Sequence, residues 1–335
     1  MKMINSSPAK NFQSDYKAPN LESNMVNILL PNYLPKLDEK IKVHNFHKVL
    51  LEYHLETNLT MRAVSKIIGL HEVTYRSYLS GKNRPDFKML KKLSNVYGVD
   101  LLQVAFEQNH EFFMGKKVIK LPRELTIDLA YYIGYLQGDG YLESDKKSYG
   151  FADEYLSQIE QMNVLTKNIF NAEGHIYAVV SKIATKPCYN LVINSFVINS
   201  FIHEFFGIIR GKKIQLRIPK IMYSNKQILA SYISGLYDAD GTIPKQPQKA
   251  KQLFVDVTMK DKIFMEEIKE VLNSFGISSL KLYERRSHSG VGSWDSPSWE
   301  IRIRRHGEIL NFLREIGFHH PDKSRRAKEV ISMLT

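Results

Sequence analysis

Two aspartates 101 residues apart, Asp139 and Asp240, each close an apolar helical run that ends in Asp-Gly. The runs are AYYIGYLQGDGY at 130–141 and SYISGLYDADGT at 231–242, and aligning the aspartates also aligns Gly134 with Gly235 and Gly138 with Ala239. Small residues four apart share one helix face, so two such helices can approach backbone to backbone. If they pack on each other at a dyad, the two acids arrive side by side at the negative ends of two helix dipoles. Each charge then opposes the other, increasingly as the site is buried. A cation between them relieves the repulsion. Mg²⁺ suits the place, because it takes one or two carboxylates together with water and phosphate oxygens. Opened onto a basic surface, such a cluster is an arrangement for metal-assisted cleavage of a phosphodiester.

The elements that must position these acids repeat as well. Each copy is followed by a strand opening on the glycine, a second short strand, a helix, two alternating strands and another helix. In the second half these fall at about 241–246, 251–258, 261–275, 278–287, 297–305 and 306–316. Phe206-Gly207 followed by Gly-Lys-Lys at 211–213 parallels Ile316-Gly317 followed by Pro-Asp-Lys at 321–323. A single helix ending in Asp-Gly is an ordinary capped helix, with glycine expected to leave through a left-handed turn. Two copies in register, each opening the same succession, imply a duplicated unit and a pseudo-two-fold arrangement.

Charge and composition bound the rest. The 335 residues hold 47 Lys and Arg against 35 Asp and Glu, a net charge of +12, which points to a polyanionic partner. With 43% apolar and 24% charged residues, the chain is neither collagenous, coiled-coil nor wholly disordered. Cys188 is the single cysteine, which excludes an intrachain disulfide and a cysteine zinc site and suggests an intracellular setting, in the cytoplasm or an organelle. The first 20 residues are polar and carry Pro8 and Pro19, without a signal peptide's apolar region, and no run reaches the ~18 apolar residues of a membrane span.

The sequence divides into a flexible tail at 1–30, a helical domain at 37–108, a linker at 109–122 with Pro122, and two halves at 123–226 and 227–335. In the second half Trp299, Ile301 and Ile303 alternate with Arg302 and Arg304, so the arginines face away from the core. The neighbouring stretch supplies Arg285 and Arg286. The strand at 188–195 alternates likewise and presents Asn190 and Asn194, with Lys182 on the strand before it. A basic face on a twisted antiparallel sheet suits a major groove, where Arg pairs with guanine and Asn with adenine. Residues 205–225 add Arg210, Lys212, Lys213, Arg217 and Lys220. In the helical domain, residues 59–104 resemble the helix-turn-helix of phage repressors: a helix at about 61–68, Gly69 at the turn, and a recognition helix at about 72–79. Val64, Ile67, Ile68, Val73 and Tyr78 are its expected core. Glu72, Arg76 and Ser77 then face base edges, with Lys82 and Asn83 near phosphate.

Residues 123–335 resemble the two-repeat, single-chain LAGLIDADG homing endonucleases, through the copies IGYLQGDGY at 133–141 and ISGLYDADGT at 233–242. The approach segment RIPKIMYSNKQILASYISGLYDADG at 217–241 also resembles the endonuclease domains of inteins, although the chain has neither the first Cys or Ser nor the last Asn of splicing, so a free-standing endonuclease is expected. The resemblance implies an α+β core of two pseudo-symmetric αββαββα halves forming a saddle over double-stranded DNA, behind a small all-α helix-turn-helix domain. It implies a monomer that uses Mg²⁺ to cut both strands, leaving 3′ overhangs in the homing of a mobile intron or element. Asp139 and Asp240 would bind metal, helped by the main-chain carbonyls of Gly138 and Ala239. The position held by Gln137 and Asp238 is variable among relatives and not catalytic. The intein enzymes place a basic residue three before the proline of the approach segment, where this chain has Leu216. Lys213, or failing it Arg217, is the replacement, and Lys323 is its counterpart in the second half. A transcription regulator that kept the fold without the chemistry, and an RNA maturase, are the competing expectations.

Overall fold

The computed structural model describes residues 27–113, 117–180, 186–285 and 297–335. Among the described residues, its N-terminal region holds the α-helices α1 His47–Glu56, α2 Met61–Ile68, α3 Glu72–Leu79, α4 Phe87–Tyr97 and α5 Leu101–Glu107. Side chains at Thr60, Asp86 and Asp100 accept hydrogen bonds from the first free backbone N–H groups of α2, α4 and α5. The expected core is partly corrected. Val64 and Ile68 are buried, but Ile67 is 62% and Val73 78% exposed, and Tyr75 and Leu79 take the inward face of α3. Spacing four apart puts Tyr75 and Leu79 on one stripe, and Val73 falls on the opposite one with Arg76.

Short strands tie this region to the rest. These are β1 Ile28–Leu29, β2 Lys42–Val43, β3 Phe112–Phe113, β4 Val118–Ile119 and β5 Glu124–Leu125. β2, β3 and β4 form one antiparallel sheet, and β1 pairs with β5. The helical region is therefore not purely helical, and residues 109–122 are no free linker. Two-residue strands leave no period in a sequence, which is why neither was foreseen. Strand β1 also falls within the segment 1–30 expected as a tail, of which residues 1–26 lie outside the described residues.

Two αββαββα halves follow. The first comprises α6 Ile127–Asp139, β6 Gly140–Leu142, β7 Ser148–Asp153, α7 Leu156–Phe170, β8 His175–Val179, β9 Cys188–Asn194 and α8 Phe196–Phe206. The second comprises α9 Lys226–Asp240, β10 Gly241–Thr242, β11 Val255–Met259, α10 Lys262–Ser274, β12 Leu282–Arg285, β13 Ser298–Ile303 and α11 His306–Glu315, extended by α12 Pro321–Leu334. The antiparallel sheets have the same order, β6-β7-β9-β8 and β10-β11-β13-β12. Among the described residues no helix is long and apolar enough to cross a membrane.

Helices α6 and α9 pack on each other about the dyad, and their glycines make this possible. A Cβ on Gly134 would run into the Tyr232 carbonyl oxygen, and one on Gly235 into that of Tyr131, closer than side chains approach backbone. The two clashes are related by the same 101-residue offset as the motifs. The glycine after each acid has a different role from the one expected. Gly140 and Gly241 have φ of −86° and −78°, which is extended backbone rather than a left-handed cap. Each helix runs directly into its strand, and a Cβ there would lie 2.6 Å from the Leu136 oxygen or 2.5 Å from the Tyr237 oxygen. Close approach, not turn handedness, demands the glycine.

Candidate active site and nucleic-acid interface

At the ends of α6 and α9 the structure brings Asp139 and Asp240 together. A Cβ on Gly138 would sit 3.0 Å from Asp240 Oδ2, so the second acid lies over the last turn of the first helix. Burial, then the charges of Asp240 and Asp153, push the Asp139 carboxyl up to about 7. Burial also raises Asp240, against the pull of Lys213 and Lys323. The oxygens at these helix ends are satisfied by the two lysines. Lys213 Nζ donates to the carbonyls of Gln137, at 2.9 Å, and Gly138. Lys323 Nζ donates to those of Tyr237, Asp238 and Ala239 at 3.1, 2.6 and 3.0 Å. Burial pulls both ammonium groups below the usual lysine range, opposed by the neighbouring aspartates. Arg217, the alternative to Lys213, instead pairs with Glu267 at 3.4 Å on the surface.

The donors suit a hard cation. Two carboxylates and the carbonyls of Gly138 and Ala239 offer oxygen only, the set that Mg²⁺ prefers. Among the described residues no three His, Cys, Asp or Glu side chains are grouped so as to hold a metal ion. An ion here would be held by two acids and completed by water and phosphate, with the lysines competing for the carbonyls.

Gln137 and Asp238 point inward and lock the dyad. Tyr232 donates to Gln137 Oε1 at 2.6 Å, and Tyr131 to Asp238 Oδ2 at 2.9 Å, each bond crossing between halves. The same Asp238 oxygen accepts the backbone N–H groups of His319 and His320 at 2.8 and 2.7 Å. A second network beside Asp139 had no signal in the sequence. Tyr135 donates to Asp153 Oδ2 at 2.5 Å, and His320 Nε2 lies 3.6 Å from that oxygen. His320 Nδ1 accepts from the Asp322 backbone N–H at 3.2 Å, which leaves the ring proton on Nε2, facing Asp153. Burial pushes Asp153 up, but the hydrogen bonds of His320, Tyr135 and the Tyr155 N–H outweigh it and hold the group low. Asp153 ends β7 and His320 opens α12, so only the fold brings them together.

The proposed DNA face is mixed. Leu191 and Ile193 are buried, while Asn190 is half-buried and Asn194 exposed on the outer side of β9. In the second half Ile301 and Ile303 are buried as expected. Arg302, however, is not a free reader. Its Nε and Nη2 bond Asp256 Oδ2 at 2.9 and 2.5 Å, its Nε lies 2.8 Å from Glu300, and its guanidinium stacks 4.4 Å over Phe254. Alternation put Glu300 on the same face as Arg302 and Asp256 on the neighbouring strand, and opposite charges there pair before any ligand arrives. Arg285 shares Glu300 but is 51% exposed, and Arg304 is exposed with no ion pair among the described residues. Lys182 and Arg286 lie outside the described residues. On the helix-turn-helix, Arg76 is exposed and holds Glu72 at 2.8 Å, Ser77 accepts from Asn83 at 2.8 Å, and Lys82 is exposed. Exposed Val73, assigned above to the core, belongs with this face.

Comparison with known proteins agrees with this geometry in two places. Residues 227–317 match the family described as LAGLIDADG-like domain, and residues 52–104 the family described as helix-turn-helix. The chain thus carries a LAGLIDADG-like domain at 227–317 and an N-terminal helix-turn-helix domain at 52–104. It is 28% identical over 302 residues to glutamine–fructose-6-phosphate aminotransferase of Methanocaldococcus jannaschii, covering 89% of this chain and 25% of that one. It is 28% identical over 100 residues to homing endonuclease I-ApeI of Aeropyrum pernix, covering 30% of this chain and 40% of that one. The chain therefore spans a quarter and two fifths of these relatives. A solved structure of I-DmoI with DNA and Mn matches at 19% identity and a TM-score of 0.39, over 57% of this chain and 96% of that one.

Proposed function

We propose that the protein is a site-specific endodeoxyribonuclease that makes a metal-dependent double-strand break in a long asymmetric target, acting as a monomer. The observation that carries this reading is the pair Asp139 and Asp240 at the dyad, each helix end covered by a buried lysine of its own half. Mg²⁺ bound there supplies Lewis-acid polarisation of the scissile phosphate and a water of lowered pKa. Asp139 and Asp240 hold that charge only when ionised, so protonation of the raised pair weakens the site. Lys213 and Lys323 bring positive charge to two helix C-termini, where it faces both the acids and an incoming phosphate. The two-fold repeat offers one such centre to each strand. Asn194 in one half and Arg285 and Arg304 in the other give unlike surfaces, which supports unlike half-sites.

An aminotransferase and a homing endonuclease have no activity in common, yet this chain resembles a part of each. A segment shared by such unlike proteins supports a portable element, for which the double-strand break would serve homing. The test is incubation of the full chain with a randomised DNA library and Mg²⁺, followed by sequencing of the ends. Recovery of one asymmetric site cut on both strands supports the proposal. Sequence-selective binding without cutting at any divalent ion would replace it with the regulator.

A further inference from the structure

The helix-turn-helix domain is docked on one half of the core. Tyr33, just after β1, donates to the Pro122 carbonyl at 2.6 Å, and its ring packs 5.4 Å from Phe106 of α5 and 4.7 and 5.0 Å from Phe201 and Phe205 of α8. Asn32 bonds Gln103 at 2.9 Å, Arg123 bonds the Glu107 carbonyl at 2.5 Å, and Lys120 N–H bonds the Phe170 carbonyl at 3.0 Å. Pairing of β1 with β5 adds a fifth tie. Asn32–Gln103 fastens the β1 segment to α5, and the other four run to the first half or to the residues just before it.

The docking also has a direction. Strand β6 leaves directly from Asp139 and runs outward to the turn at 143–148, closed by Glu143 N–H to the Ser148 carbonyl at 3.0 Å. At ~3.3 Å per residue the tip lies roughly 15 to 20 Å from the acid, the span of about five base pairs. At that tip a cleft of about 440 Å³ is lined by side chains of both charges, Lys36, Asp38, Glu39 and Lys88 among them on the helical side and Lys146 and Glu204 on the core side. The helical domain therefore sits at the outer end of the hairpin, away from the cleavage centre, with Arg76, Lys82 and Val73 exposed.

Resting on the endonuclease reading, we infer that the helix-turn-helix reads duplex DNA contiguous with the half-site of the first half, on that side only and at a fixed distance, rather than a separate operator. The tethers set the spacing. A flexible linker would let the domain follow a flanking element moved by a full turn of DNA, but these contacts do not.

The experiment uses the full chain on the site recovered from the cleavage selection, with Asp240→Asn to prevent cutting. Hydroxyl-radical footprinting should show protection reaching about one helical turn beyond one half-site only. Arg76→Ala with Lys82→Ala, both on exposed side chains, should remove that extension and weaken binding at least about tenfold. An iron chelate on Lys147→Cys in a Cys188→Ser background should cut at the junction of half-site and extension. Moving the extension outward by five or by ten base pairs should cost the same affinity. Protection that extends on both sides or neither, chelate cuts at the other end, a footprint unchanged by the double variant, or affinity restored at ten base pairs each overturn the inference. Failure to recover any cleaved site is a different result, and it overturns the endonuclease reading instead.

Discussion

Asp139→Asn should stabilise the metal-free protein by an amount that grows as pH rises from about 4 and is complete above about 7. Its carboxyl rises from an ordinary 3.8 to about 7 because burial and two neighbouring acids oppose its charge. Three units at ~1.36 kcal/mol each amount to about 4 kcal/mol, an upper bound because Asp240 and the lysines readjust in the variant. The folded state binds this proton more tightly than the unfolded chain, so stability falls as pH rises from about 4 to about 7 and stays low above it. Asparagine has no charge to lose and should escape the fall. Urea unfolding of both proteins at pH 5 and pH 8.5 should give a difference of about 2 to 4 kcal/mol in favour of the variant at the higher pH, shrinking towards pH 5. Added Mg²⁺ should raise the parent's midpoint at pH 8.5 and leave the variant's nearly unchanged, since only the parent gains binding energy on folding. Equal stabilities at pH 8.5, or a gain of the same size at both pH values, would refute the claim that the acids are held in opposition.

Gly134→Ala or Gly235→Ala should lower stability by about 3 kcal/mol or more, measured by thermal unfolding, because each new methyl strikes the backbone of the opposite helix. Arg304→Ala should relax base preference on one side of the target at a cost of about 1 to 3 kcal/mol in binding, seen in selections from random DNA. Arg302→Ala should instead lower folding stability by about 3 kcal/mol, because it leaves Asp256 buried without its partner and Glu300 with Arg285 alone. Removal of residues 1–110 should yield an unstable or aggregating core, read by proteolysis, because it strips Tyr33 from Phe201 and Phe205 and leaves β5 unpaired.

What the sequence disclosed was what repeats. Asp139 and Asp240 stood out because a motif recurred in register, and the glycines at 134 and 235 because close packing of helices restricts residue type so sharply. Strand alternation placed Ile301 and Ile303 correctly, since a period of two is local. Arg302 was misread because alternation tells which face a side chain takes but not whether an acid on the next strand already holds it. Asp153 and His320, 167 residues apart, belong to no motif and meet only through the packing of β7 against the start of α12. The docking of the helical domain was hidden for a related reason: it depends on Tyr33 and on strands two residues long, which carry no periodic signal.

The central claim is that two acids at one dyad perform the cleavage while other residues hold the DNA. The direct measurement is cleavage and binding, side by side on the recovered site, for the parent, Asp139→Asn and Asp240→Asn in Mg²⁺. Both variants should bind as tightly as the parent or more tightly, because a carboxylate opposing phosphate has been removed, and neither should produce a double-strand break. Either variant cutting both strands at the parent's rate would contradict the account and remove that aspartate from the active site.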